Sequence, residues 1–335
     1  MSEKHRTTPD NPADAYEFRG IAAADEEKIV TLFPECFFVE ITGAHWRWKY
    51  LDNPVGGPSG SIAVRRSDGE LAAHYAAYPT RFRLDGELVV ANQISDIMTA
   101  PAHRKVGFGR SNLFVQTALH FYDHYCRGKV AFNYGFHTGT SRKISQRYID
   151  VRPVAPVAFR VRADGSPPEP SGEPYRIEIV TEVDDRFDRL MRRVARRYGL
   201  MVERNAEWLR WRYFDTPERK PTLFAVWRQQ RLVGWSAFGV EDGRLIWGDA
   251  LFRPVHRMAA ADVLAAALEH FGEVERVECW FPRHPGWWDE VVRGLGFVEE
   301  RQKDDLWLTT APHLWADSVE RLTGAYYTLG DSDLF

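Results

Sequence analysis

The stretch Ser95-Asp-Ile-Met-Thr-Ala-Pro101-Ala-His-Arg104-Lys-Val-Gly107-Phe-Gly109-Arg110 decides how the rest of this 335-residue chain is read. A strand-like run ends at Pro101, and a short basic loop with two glycines then opens a helix-like run from Gly109 to Tyr125. Glycine lets the backbone come close to a ligand. The first turn of a helix presents unsatisfied N–H groups and the positive end of its dipole. Arg104, Lys105 and Arg110 add formal positive charge around the same turn. A pyrophosphate would sit there readily. A dinucleotide fingerprint does not fit, because Asn112 stands where its third glycine or alanine belongs. A phosphate loop of the Gly-Lys-Ser/Thr kind is also absent.

The surroundings sharpen the reading. Hairpin-like runs precede the loop, and a strand near Val130–Phe136 and a helix near Ser141–Tyr148 follow it. With Arg104-Lys-Val-Gly107-Phe-Gly109 as Arg-x-x-Gly-x-Gly, the segment resembles the acyl-CoA pyrophosphate loop of the GNAT superfamily of N-acyltransferases. That resemblance implies acetyl-CoA, or another acyl-CoA, as cosubstrate, with no metal. It implies that Arg104, Lys105, Val106, Gly107, Phe108, Gly109 and Arg110 hold the pyrophosphate. Ile97, Met98 and Thr99 would offer backbone groups to the pantetheine arm, and residues 133–137 would line the opposite side of the cleft. In this family the two strands flanking the cofactor splay apart. The helix after them often carries a tyrosine that protonates the leaving thiolate, a few residues before a Gly-Phe pair. Here Tyr148 is that helix's only tyrosine, and no Gly-Phe pair follows it. For the general base the resemblance ranks Asp96 first and His137 second.

A second observation concerns the whole chain. Trp46-Arg-Trp-Lys-Tyr-Leu-Asp-Asn-Pro54 recurs as Leu209-Arg-Trp-Arg-Tyr-Phe-Asp-Thr-Pro217, and each leads into a run that reads as a β-hairpin. A repeated aromatic core element implies a repeated fold. Residues 162–174, RADGSPPEPSGEP, contain four prolines and no apolar periodicity, which marks a linker. The expected organisation is a disordered tail at 1–15, a first domain at 16–161, the linker, and a degenerate second domain with its C-terminal tail at 175–335. The fold class is α/β or α+β: tandem GNAT-like domains, each with a mixed central sheet flanked by helices. In the second half Pro254-Val-His-Arg-Met-Ala-Ala260 keeps the proline and arginine but neither glycine, so the second domain is expected to lack a cofactor site.

Composition removes several classes of function. The formal charge of −3 from 44 basic and 47 acidic side chains gives no general pull toward nucleic acid. No apolar run approaches the length needed to cross a bilayer. Cys36, Cys126 and Cys279 match neither a disulfide framework nor zinc spacing, which points to a reducing cytoplasm. His120 and His124 have helical spacing, but no third ligand accompanies them. The expected activity is transfer of an acyl group from a CoA thioester to a primary amine of a small-molecule acceptor. The alternative is a non-catalytic acyl-CoA-binding or partner-binding protein of the same fold. The tail, ending in Asp331-Ser-Asp-Leu-Phe335, is expected to dock and to offer carboxylates to the acceptor site.

Overall fold

The computed structural model describes residues 12–218 and 220–335. The first half of the chain runs α1 (Pro12–Ala15), β1 (Tyr16–Gly20), α2 (Glu26–Phe37), α3 (Gly43–Tyr50), β2 (Ser59–Arg65), β3 (Leu71–Leu84), β4 (Glu87–Thr99), α4 (Leu113–Phe121), β5 (Phe132–His137), α5 (Gly139–Tyr148), β6 (Arg152–Pro156) and β7 (Phe159–Arg162). The second runs β8 (Tyr175–Ile179), α6 (Asp185–Val194), β9 (Met201–Val202), α7 (Ala206–Leu209), β10 (Thr222–Arg228), β11 (Arg231–Glu241), β12 (Arg244–Phe252), α8 (Ala259–Phe271), β13 (Arg276–Trp280), α9 (Gly286–Gly294), β14 (Val298–Glu299), β15 (Trp307–Pro312) and α10 (Ser318–Thr323). Among the described residues no helix is long and apolar enough to cross a membrane.

Two mixed sheets form, ordered β1-β2-β3-β4-β5-β15-β6 and β14-β7-β13-β12-β11-β10-β8. Each combines antiparallel hairpins with a parallel pair joined by a crossover helix: β4–α4–β5 in the first, β12–α8–β13 in the second. Helices cover both faces of the first sheet, so β3 is buried along most of its length. Tyr75 packs toward α4 while its neighbour Ala76 packs toward α2 and α3. Both central hairpins turn on Asp-Gly, at Asp85-Gly86 (φ 52° and 97°) and Asp242-Gly243 (φ 47° and 74°). Such tight hairpin turns select these residues because both central positions need positive φ.

The chain divides into two compact units that interleave in sequence. Residues up to Pro79, Ala91–Pro153 and Thr309–Ser318 form the first; Thr80–Val90, Val154–Leu308 and Val319–Phe335 form the second. The expected boundary at 161/162 therefore moves. Phe159–Arg162 pairs with β13 and β14 of the second sheet, and β15, from the second half of the chain, lies between β5 and β6 of the first. These strands are too short to signal their partners in the sequence. The proline-rich segment is also fastened: Arg162 donates to the carbonyl of Ser166 (2.6 Å), and Ser171 N–H donates to Asp262 (3.2 Å). Of the expected tail, residues 1–11 lie outside the described residues, and Pro12–Ala15 form α1 rather than disorder. The helix expected from Gly109 begins only at Leu113, after a single 3₁₀ turn at Gly109–Ser111.

Candidate active site

The site is built around a parting of strands. β4 and β5 pair at Asn92–Asn133 and Gln93–Tyr134, yet β4 continues to Thr99 and β5 to His137. Asp96 marks the departure, with a left-handed φ of 51° inside β4. For a non-glycine residue that conformation costs free energy and persists only where surrounding contacts impose it. They do so here. Lys49 Nζ donates to one carboxylate oxygen at 2.8 Å, the Tyr50 hydroxyl donates to the other at 2.7 Å, and Ser95 Oγ adds a bond at 3.1 Å. His74 Nδ1 lies 2.7 Å from the Asp96 carbonyl. Burial alone would raise the Asp96 pKa, but the Lys49 charge and the hydrogen bonds from Lys49 and Tyr50 hold it below the usual carboxylate range. A carboxylate so held is a strut for the strand and a weak proton acceptor.

The loop follows directly. Gly107 and Gly109 have φ of 69° and 59°. Their reasons for being glycine differ. A Cβ on Gly107 would stand 2.0 Å from the carbonyl oxygen of Ser111, so the loop's own path excludes any side chain there. A Cβ on Gly109 would meet only Tyr148 Cε1, at 3.9 Å, which leaves that side open for a ligand. Asn112 closes the loop by donating to the Val106 carbonyl (3.2 Å), and it caps α4 by accepting from Phe114 N–H (3.1 Å). Among the described residues no protein acceptor takes the N–H of Gly107, Gly109 or Arg110. Beside the loop a cavity of about 440 Å³ lies between α4 and α5, with Arg110, Arg127, Arg147, Tyr148 and His313 on its walls. Burial, helped by Arg127, pushes His313 down to about 4, so the cationic charge of the cavity comes from the arginines. Open N–H groups beside three arginines suit a polyphosphate.

The remaining predicted residues distribute as follows. Ile97 packs toward α4 and Met98, buried, toward α2 and α3, as strand alternation requires. Arg104 donates to the Thr99 carbonyl at 3.2 Å, Val106 packs inward, and Phe108 is 89% exposed. His137 is buried with Nδ1 2.7 Å from the Thr309 hydroxyl. Tyr148 stands with the loop. The three residues expected to be catalytic thus occupy three separate environments. Lys49, Tyr50, His74 and Thr309 were not singled out by the sequence. The signal for the first two was present in the repeated aromatic motif, where packing alone explained it.

Residues 17–142 match a family model described as an acetyltransferase (GNAT) domain. This segment is a GNAT domain. No curated protein is similar to the chain in sequence. Solved structures share its fold at low identity. A probable N-acyltransferase from Enterococcus faecalis is 13% identical over 89% of this chain and 71% of its own, with a TM-score of 0.61. A GCN5-related N-acetyltransferase from Anabaena variabilis is 11% identical over 88% and 72%, at 0.63. N-myristoyltransferase of Saccharomyces cerevisiae with bound myristoyl-CoA is 11% identical over 90% and 86%, at 0.55. The likeness to these acyltransferases is one of fold.

The second unit repeats the frame of the GNAT domain without its opening. Tyr213 donates to Asp249 at 2.9 Å as Tyr50 does to Asp96, and each aspartate stands five residues before a proline, Pro254 and Pro101. The cation differs: Arg204 Nε lies 3.0 Å from both oxygens of Asp249, and its Nη2 reaches Asp331 at 2.6 Å. Beyond the last β12–β13 pair, Trp247–Cys279, the strand edge is sealed. Phe252 N–H donates to the Tyr198 hydroxyl (2.8 Å), and Tyr326 donates to the Ala250 carbonyl (2.7 Å). Ala250 and Phe252 correspond to Ile97 and Thr99, so tyrosine hydroxyls occupy the backbone positions expected to serve pantetheine in the first unit. The C-terminal tail docks here too. Arg212 donates to the carbonyls of Gly330 (2.9 Å), Ser332 (2.7 Å) and Phe335 (2.6 Å), and a Cβ on Gly248 would lie 2.1 Å from the Phe335 ring. Asp331 is thus engaged inside the second unit rather than offered to an acceptor.

Proposed function

We propose that the protein is an acyl-CoA-dependent N-acyltransferase that moves an acetyl or other acyl group to a primary amine of a small-molecule acceptor. The observation that carries this reading is the open glycine loop directly after a strand that has parted from its neighbour. The N–H groups of Gly107, Gly109 and Arg110 would take the pyrophosphate, with Arg104 and Lys105 alongside, and Arg110, Arg127 and Arg147 would take phosphate in the cavity between α4 and α5. The β4 backbone at Ile97, Met98 and Thr99 would carry the pantetheine arm. Its N–H groups would stabilise the oxyanion while the amine attacks the thioester carbonyl. Most of the acceleration comes from holding amine and thioester together, which asks little of individual side chains.

The second unit is read as a duplicated GNAT fold that has given up its cofactor site and supports the first. The far-apart free cysteines favour a cytoplasmic setting. Two measurements test the activity. Acetyl-CoA at millimolar concentration should raise the thermal stability by about 4 kcal/mol for a micromolar site. Thiol release with a panel of primary amines should then find the acceptor class. Stabilisation without turnover on any amine would favour the acyl-CoA-binding alternative. No stabilisation by any CoA thioester would exclude both.

A further inference from the structure

Two buried side chains near the parting of β4 and β5 carry polar atoms with no partner among the described residues. His74, on β3, lies edge-on to Tyr50 at 6.2 Å. Its Nδ1 is 2.7 Å from the Asp96 carbonyl oxygen. A carbonyl can only accept, so Nδ1 carries the proton and Nε2 is left with a bare lone pair. That Nε2 is buried and receives no hydrogen bond. Gln93 belongs to the last β4–β5 pair, is fully buried, and has neither amide atom bonded. Since Ile94 packs toward α4, Gln93 faces the α2–α3 side, the side on which Lys49, Tyr50 and Asp96 meet. Buried polar groups are nearly always satisfied, by water or ligand where protein does not do it.

The second unit supplies a control within the same chain. Ala100 N–H donates to Ala72 O, and Arg253 N–H to Val233 O, both at 2.9 Å, which aligns the two strand pairs. Two residues further along stand His74 and Trp235, each edge-on to the motif tyrosine, at 6.2 Å from Tyr50 and 6.4 Å from Tyr213. Three residues before the two clamped aspartates stand Gln93 and Ile246. The unit with the glycine loop keeps an imidazole and an amide. The unit without it has an indole and an isoleucine at the same places.

We propose that His74, through Nε2, is the general base that receives the proton of the acceptor ammonium, with Gln93 as a hydrogen-bonding group for the acceptor. The inference rests on the acyl-transfer reading above. The ammonium gives one proton to Nε2, and the freed nitrogen lone pair forms the C–N bond. The C–S bond then breaks, its electron pair leaving on the CoA sulfur, and the second nitrogen proton goes to that thiolate. The products are the amide, CoA thiol and an imidazolium that returns its proton to solvent. Burial lowers the His74 pKa; Asp96 from β4 and Asp25 before α2 oppose that shift, Lys49 of α3 reinforces it, and the uncharged Tyr50 hydroxyl shares the same face. The ring is therefore neutral and receptive at neutral pH.

Bromoacetyl-CoA tests this with the full wild-type chain. The Nε2 lone pair would attack the bromine-bearing carbon, and bromide would leave with its electron pair. Peptide mass spectrometry should find one adduct per chain, on His74, suppressed by excess CoA. His74→Gln should bind CoA as wild type does by calorimetry and label at least tenfold more slowly. A CoA-protected adduct on another residue, or no adduct in a protein that binds CoA, would overturn the proposal. Failure of the wild type to bind CoA at all would overturn the acyl-transfer reading, and the proposal with it. The wild-type adduct needs no variant, so a poorly folding His74→Gln leaves the test intact.

Discussion

Between Pro101 and α4 the first unit has an open loop with two left-handed glycines; between Pro254 and α8 the second has one turn. In that turn and the start of α8 the N–H groups bond back to their own chain: Arg257 to Pro254 (3.3 Å), Ala260 to Arg257 (3.1 Å) and Ala261 to Met258 (3.1 Å). The cavities beside the two loops differ in sign. The first has three arginines against one carboxylate, Asp150, on its walls. The second, of about 750 Å³, has Asp164, Glu169 and Glu290 facing Arg162 and Arg257. The tyrosine–aspartate clamp is common to both units, and an Asp-Gly hairpin to both sheets. What the units share reports the fold, and what they do not share reports the ligand.

Six substitutions would break or sharpen this comparison. The largest effect is expected in the second unit, where Arg204 holds Asp249 and Asp331 in full burial. Arg204→Ala leaves two buried carboxylates without their cation and should cost about 3–5 kcal/mol in urea denaturation. CoA affinity should stay within a factor of two, and a parallel loss of affinity would show that the second unit shares in cofactor binding. Next, Gly107→Val should weaken CoA binding at least a hundredfold, about 2.7 kcal/mol, because the loop cannot close on Ser111. Met258→Ser, at an exposed position of the corresponding turn, should leave titration calorimetry unchanged.

Tyr50→Phe and Tyr213→Phe remove the same bond from the two clamps and should each cost about 1–2 kcal/mol of stability. Only Tyr50→Phe should also reduce turnover, since Asp96 shapes an open cleft and Asp249 a sealed one. The smallest effect concerns pH. Burial lifts Asp331 to about 6 against the pull of Arg204, so the folded state favours its protonated form. Its contribution is complete below the ordinary carboxylate range and is lost as pH rises through about 6. The melting temperature of Asp331→Asn relative to wild type should therefore rise between pH 4 and 6. A difference that is flat over this range would contradict the burial argument.

The loop was legible in the sequence because its chemistry is local: two glycines, three cations and a proline need no partner to be read. The element order was legible for the same reason: the strand expected near Val130–Phe136 and the helix near Ser141–Tyr148 form as Phe132–His137 and Gly139–Tyr148. β7 and β15 were not legible, since four to six residues carry no sign of which sheet takes them. Gly107 was read as room for phosphate, whereas the obstacle is Ser111, a contact within the loop itself. Asp96 was chosen as base because it precedes the loop, and Lys49 lies 47 positions away in the chain. His74 sits in an alanine-rich strand pattern that gives no hint of its tautomer. Such groups become visible only when the fold brings strand, helix and loop together.

The central claim is that one chain binds one acyl-CoA, through the loop at 104–110. Isothermal titration of the full chain with acetyl-CoA measures this directly. The account predicts a stoichiometry of about one, lost in Gly109→Val and kept in Met258→Ser. Two sites per chain, or binding that survives Gly109→Val and disappears with Met258→Ser, would contradict it.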